Sequence, residues 1–431
     1  MIDRVVKQII VAGMMVFSAV FPSYSQDNRD ELVILTTFSR EPLSALIEHF
    51  NQLYPEVEVR LIHRRTQSAI QLLNRNYIQD VDMVLTSSPF LMQQLANHSR
   101  LNKISSHGDR PDWMEPFILP PKEQVAVLGY SGAGIVWNQD YLVANDLPTP
   151  SSFSSLTDPV YFEHITMSTP SRSGTTQMMI ESILHQYGWR KGWQIILNVG
   201  ANLGTISARS FGVSDYVAKG QFGMGPTIDS YALLLQKDFD HLRFGYDPDF
   251  TLMPTYIAEI ASKKKDQYAQ KFIKILLSDS VQAQLAKSSF SKHTLADDEL
   301  YSAAIPNITL SVVMAREQLV NKIFDMAVTK RLPILKDSWL SITTIESQLV
   351  TPKQHRKLEL IKQKLFSVPF SEEQVAQLSQ KIAESSAKTV LEQNQIEVLM
   401  AEFDHSLVLA LAESMSEVEM LLKELKVEAN L

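Results

Sequence analysis

The chain has 431 residues, 45% of them apolar, and not one cysteine, so disulfides, zinc–thiolate sites, iron–sulfur clusters and thiol catalysis are all ruled out. A formal charge of −8 argues against a general nucleic-acid binder, which needs a basic face. The charge is local: from Ser371 onward there are twelve Asp/Glu against four Lys/Arg, so the remainder of the chain is close to neutral.

Arg4 and Lys7 precede an apolar run from Ile9 to Phe21, and Pro22, Ser23, Tyr24 and Ser25 follow it. This is the pattern of a secretory signal cut after Ser25, which predicts a periplasmic protein. The run is about 13 residues, short of the roughly 20 that span a membrane; a retained N-terminal anchor is the alternative. With no Cys after the run, a lipid anchor on Cys is excluded. Beyond the signal, length and apolar content suffice for two or three domains with a large core.

Leu32–Phe38 (LVILTTF) reads as a buried strand, and Leu43, Leu46, Ile47 and Phe50 form a helical stripe. Val57–Ile62 is a second strand, Ala69–Leu73 seeds a helix, Met83–Leu85 is a third strand and Phe90–Leu101 a third helix. That alternation predicts a parallel sheet with right-handed crossovers. Glu123–Asn138 is strand-rich, with Gly129, Gly132 and Gly134, and is suited to carry the chain between lobes. A strand at Ile165–Ser168, a long helix over Thr175–Val199, strands at Phe222–Ile228 and Leu242–Tyr246, and a strong helix from Gln267 complete the main body. The expected architecture is α/β: a discontinuous lobe of 26–130 and 240–349, a second lobe of 131–239 inserted into it, and an acidic helical extension, 350–431, after the signal of 1–25. Ligands of open parallel sheets sit at the carboxyl ends of strands, and two such lobes face one another across a cleft.

In the extension, Ser371-Glu372-Glu373-Gln374 is a capping box. From Ile396 through Leu399, Met400, Phe403, Leu407, Leu411, Met415, Val418 and Leu422 to Leu425, apolar residues recur at three- and four-residue spacing. Such a stripe either packs on the body or a helical neighbour, or serves as a docking arm for a partner.

The densest polar cluster is Thr169-Pro170-Ser171-Arg172-Ser173-Gly174-Thr175-Thr176, at the start of the long helix. Hydroxyls and free N–H groups at a helix N-terminus make an anion site, and Arg172 adds a bidentate donor. Thr36, Thr37, Ser39 and Arg40 follow the first strand; Thr86, Ser87 and Ser88 follow the third; Tyr130 and Ser131 sit at the crossing into the second lobe. Arg209 with Ser210, and Asp229 with Tyr231, are further candidates, each with a bland reading as an interlobe ion pair or a strand end. His63-Arg64-Arg65 either steers an anion toward the cleft or is a solvated turn. Trp189 and Trp193, four apart on a helix, fit packing better than stacking on a ligand. There is no GxSxG, HExxH, Walker or GxGxxG motif, the histidines lack metal-ligand spacing, and nothing selects a carboxylate pair, so neither an enzyme nor a cofactor is expected.

MSTPSRSGTT (Met167–Thr176), ISARSFGVSDYVAKGQFGMGP, YSGAGIVWNQDYL (Tyr130–Leu142) and AQKFIKILLSDSVQAQLA (Ala269–Ala286) resemble segments of the iron-type periplasmic solute-binding proteins of ABC transporters, and more narrowly their phosphoglycerate-regulatory branch. The resemblance covers about Leu32–Leu300 and weakens beyond it. It implies a type II periplasmic binding fold, hinge closure over a ligand, and presentation to a membrane transporter or sensor. Ferric-binding members use a consecutive Tyr pair in the second lobe; here Thr227-Ile228-Asp229-Ser230-Tyr231-Ala232 has one Tyr. The expectation is therefore a small anionic solute, such as phosphoglycerate or a related phosphorylated acid. The alternatives are a ferric-ion or polyamine carrier, and a periplasmic interaction protein acting through its tail.

Overall fold

Apolar runs alternating with amphipathic segments fold into two five-stranded sheets, between which the chain crosses twice, each time from an edge strand to an inner strand. The computed structural model describes residues 30–74, 80–105, 111–261, 267–285, 287–288, 290–296, 308–385 and 390–430; the expected signal segment lies outside them.

In the first sheet β1 (Asp30–Thr36), β2 (Val57–His63) and β3 (Met83–Thr86) are parallel, with α1 (Arg40–Leu53) and α2 (Thr66–Asn74) between them and α3 (Pro89–Asn97) after them. The register pairs Thr36 with His63, so the ends of β1 and β2 lie on one sheet edge. β1 is apolar on both faces because both are covered. Leu32 and Ile34 belong to the core with Phe50 and Phe272, whereas Val33 and Leu35 belong to the core with Leu91 and Leu95. β4 (Ala126–Ser131) closes the far side of this sheet.

Only Gly132 separates β4 from β5 (Ala133–Asn138), an inner strand of the second sheet that is antiparallel to both of its neighbours. After α4 (Gln139–Ala144) come β6 (Ile165–Ser168), α5 (Gly174–Ala201), β7 (Leu203–Ser207), α6 (Ser210–Ala218), β8 (Met224–Ile228), α7 (Asp229–Leu235) and β9 (Leu242–Tyr246). The order is β7-β6-β8-β5-β9. The chain then returns to the first sheet as β10 (Met253–Glu259), antiparallel between β3 and β4. α5 bends at Gly188, whose φ of 73° suits glycine alone. Trp189 and Trp193 lie just past the bend and pack edge to face at 5.7 Å, with the Trp189 indole N–H donating to the Phe370 carbonyl at 2.7 Å.

α8 (Gln267–Leu276) and α9 (Asp279–Leu285) cover the first sheet. α10 (Leu310–Phe324) touches α3 of the first sheet and both the Pro170–Arg172 turn and α5 of the second. A π-helical turn, Asp325–Thr329, leads to α11 (Leu332–Glu346), and α12 (Pro352–Leu365), α13 (Glu372–Glu384) and α14 (Val390–Glu428) follow. The capping box is present in full: Gln374 N–H donates to Ser371 Oγ at 3.2 Å, and Ser371 N–H donates to Gln374 Oε1 at 2.8 Å. Of the two readings of the long stripe, packing within the chain is what the structure shows. Phe403, Leu407, Leu411, Met415, Val418, Leu422 and Leu425 are buried, and Lys357 and Lys364 of α12 pair with Glu424, Glu428 and Glu417 of α14.

Candidate ligand cleft

Four helix N-termini converge where the two sheets face one another. Ser39 precedes α1, Arg65 and Thr66 open α2, Ser173–Thr175 open α5, and Arg209–Phe211 open α6; all of these line one cleft with Thr37, His63, Ser87 and Tyr231. Each helix start leaves N–H groups without intrahelical partners and carries a partial positive charge. The cleft is open to solvent, and its free space, that open part included, comes to about 560 Å³.

Its charge is one-sided. Arg65, Arg172 and Arg209 line it together with His63, and none of the lining residues is Asp or Glu. No hydrogen bond or ion pair involves the three guanidinium groups among the described residues. Burial lowers the His63 pKa below its ordinary value, and the charges of Arg209 and Arg64 lower it further. Arg64 turns outward, where its guanidinium donates to the His63 carbonyl at 2.8 Å.

Hydroxyls tie the second-lobe wall together. Ser173 Oγ caps α5 by accepting from Thr176 N–H at 3.1 Å and lies 2.9 Å from Thr175 Oγ1. Ser210 Oγ joins both, 2.9 Å from Thr175 Oγ1 and hydrogen-bonded to Ser173 Oγ. The two helix starts are thereby held side by side. Across the cleft, a Cβ placed on Gly174 would lie 2.7 Å from the Ser88 Cβ, so the lobes touch backbone to side chain at this point. Tyr231 packs edge to face on Phe211 at 5.4 Å, and burial raises its phenol pKa.

The remaining candidates take other places. Thr36 Oγ1 accepts from Phe38 N–H at 3.1 Å, Thr86 Oγ1 accepts from Ser88 N–H at 3.0 Å, and Ser88 Oγ caps α3 through Leu91 N–H at 3.3 Å. These three are buried behind the cleft wall and shape the loops that present Thr37 and Ser87. Ser171 lies 3.0 Å from Thr169 Oγ1 in the turn before α5.

Ser131 and Asp229 belong to the crossing between lobes. Asp229 Oδ2 accepts from Gly132 N–H at 2.7 Å and lies 2.9 Å from His293 Nε2, while Tyr246 donates to it at 3.3 Å. The buried Lys292 ammonium donates to Ser131 Oγ at 2.8 Å and Ser230 Oγ at 3.1 Å. Burial pushes Lys292 down to about 8, against the pull of Asp229.

Sequence reasoning passed over Thr66, Phe211 and the cleft position of His63 and Arg65. The signal was present: His63 ends a strand parallel to β1, so the residues after it arrive at the same edge as Thr37 and Ser39.

A sequence profile of the bacterial extracellular solute-binding protein family matches residues 80–310, ending where α10 begins. The phosphoglycerate transport regulatory protein PgtC of Salmonella typhimurium is 35% identical over 348 residues, covering 79% of this chain and 86% of that protein. Among solved structures, the periplasmic binding protein AfuA from Actinobacillus pleuropneumoniae, with fructose-6-phosphate bound, superposes with a TM-score of 0.58 at 16% identity, over 69% of this chain and 98% of that one. Iron-bound HitA from Pseudomonas aeruginosa gives 0.53 at 17% identity, over 68% and 99%. The fold is the type II periplasmic binding fold with a helical C-terminal region. Among the described residues, no helix is long and apolar enough to cross a membrane.

Proposed function

Because the chain belongs to the bacterial extracellular solute-binding protein family, we propose that it works in the periplasm, closing its two lobes on a small phosphorylated acid and presenting it to a membrane transporter or sensor. The observation that carries this reading is the cleft wall of three unpaired arginines without a carboxylate. Hydroxyls, N–H groups and guanidiniums are donors, and together they suit an anion rich in acceptor oxygens. A ferric ion or a polyamine calls for carboxylate or phenolate oxygens instead, and the lining offers one phenol.

Each lobe brings its own share of positive charge. Arg65 stands beside the starts of α1 and α2, while Arg172 and Arg209 stand beside the starts of α5 and α6. A ligand charged at both ends, such as a phosphoglycerate with one phosphate and one carboxylate, ties the two halves together. It binds the closed arrangement better than the open one, which is the condition for a ligand to shift a hinge equilibrium. The 35% identity with a protein named for phosphoglycerate transport regulation supports the same class.

Thermal unfolding of the mature protein with 3-phosphoglycerate, phosphoenolpyruvate, ferric citrate or spermidine tests the proposal. A ligand at a hundredfold its Kd adds about 2.7 kcal/mol to the folded state. The expected result is a rise in midpoint with the two phosphorylated acids, largely lost in Arg172→Ala and Arg209→Ala. A rise with ferric citrate or spermidine alone overturns it.

A further inference from the structure

The C-terminal helices form a second groove, with an apolar floor where the cleft has hydroxyls. It lies between α14 and the π-helical turn that leads into α11, with an apolar floor of Met326, Ile334, Leu411 and Met415 and a cationic rim of Lys330 and Arg331. On one side Met326, Lys330 and Ile334 follow each other at four-residue steps. On the other, Val408, Ala412 and Ser416 do the same, and Glu419 stands at the far end. Val408 and Ile334 are 43% and 47% exposed, so the apolar floor continues out to the surface.

Arg331 is the distinctive side chain of the groove. It is half-buried, with Leu335, Leu365, Leu411 and Met415 around the pocket it shares, and burial lowers its pKa. No carboxylate among the described residues pairs with its side chain. Lys322, Lys357, Lys362 and Lys364 of the surrounding helices, by contrast, each hold a Glu or Asp. A guanidinium among leucines without a counter-charge is costly unless an anion arrives with a partner.

We propose that this groove is the docking site for an amphipathic helix of a partner protein, whose apolar side lies on the floor and whose carboxylate pairs with Arg331 and Lys330. Two parallel ridges flanking an apolar trough are the shape that accepts a helix as an additional member of a bundle. The trough runs from Val408 to Glu419, about 16 Å at 1.5 Å per residue, which is the length of about three turns. A negatively charged membrane surface is disfavoured as the occupant, because the segment from Ser371 onward is itself net acidic. The groove shares no lining residue with the cleft.

The probe is a pair of designed helical peptides of fourteen residues with leucines at i, i+4, i+7 and i+11, differing only in one terminal-turn residue, Glu or Lys. Fluorescence anisotropy with the full chain is expected to show the Glu peptide binding at least tenfold tighter than the Lys peptide. Arg331→Met should erase that preference. Ala412→Glu, at an exposed position where the fold is not at stake, should abolish binding of both peptides. No binding of either peptide at millimolar concentration, equal binding of the two, or binding untouched by Ala412→Glu overturns the proposal. So does a concentration-dependent dimer in sedimentation that Ala412→Glu disperses, since the groove would then be occupied by a second copy.

Discussion

Arg316 and the cleft arginines stand at the two extremes of how this chain treats the same side chain. Arg316, on α10, is nearly enclosed: its guanidinium donates to Glu181 Oε2 of α5 at 2.7 and 3.0 Å and pairs with Glu372 of α13, and it lies over the Trp189 ring at 5.3 Å. Arg65, Arg172 and Arg209 have no such counter-charges, although hydroxyls surround them. Where a cation belongs to the architecture, the chain supplies its anion. Where the anion is to come from outside, the chain supplies donors only.

The largest test of this division is Arg316→Met. It leaves the Glu181 carboxylate buried and uncompensated, and breaking a buried pair from one side costs about 3–5 kcal/mol. Denaturant unfolding should show that loss, while anion affinity of the surviving folded protein stays unchanged. If stability falls by less than 1 kcal/mol, Arg316 is not the structural member of the comparison.

The counterpart is the Arg172→Ala, Arg209→Ala double variant without ligand. Its unfolding free energy should stay within about 0.5 kcal/mol of the parent, as for exposed side chains without partners. A loss of several kcal/mol would make these arginines part of the scaffold and dissolve the distinction.

Lys292 falls between the extremes, buried like Arg316 but held by two serine hydroxyls instead of a carboxylate. Its pKa of about 8 lies below the 10.5 of an ordinary lysine, so between those values the unfolded chain binds more protons than the folded one. Stability should therefore climb with pH through that window and be flat with respect to this group below it. From pH 8 to 9 the gain is at most about 1.4 kcal/mol. Lys292→Met should remove that slope in a pH series of denaturation curves; a slope that persists assigns it to another group.

Much of this arrangement is legible in the residues. Leu242–Tyr246 and Ile165–Ser168 are strands as read, and the Ser371 capping box starts its helix where the hydroxyl–x–x–amide pattern places it. β10 was not legible: it opens Met253-Pro254, a signal against a central strand, and its partners β3 and β4 lie more than a hundred residues earlier. β7 is five residues around Gly204, and reads as the turn after α5. In the cleft, strand-edge logic points to the loops after β1 and β3, and a dense run of hydroxyls at a helix N-terminus points to the start of α5, whereas His63 and Arg65 read as a basic cluster that either steers an anion or is a solvated turn. Their placement depends on the parallel register of β2 against β1, which is a tertiary fact. Thr36, Thr86 and Ser88 carry the same chemistry as Thr37 and Ser87, and alternation along a turn decides which hydroxyls face inward.

The contact between Gly174 and Ser88 has a consequence for how close the lobes stand. With no room there for even a methyl group, the lobes meet main chain to side chain. Any side chain at position 174 would act as a wedge, holding Ser88, and with it the first lobe, farther from the start of α5 than it now stands.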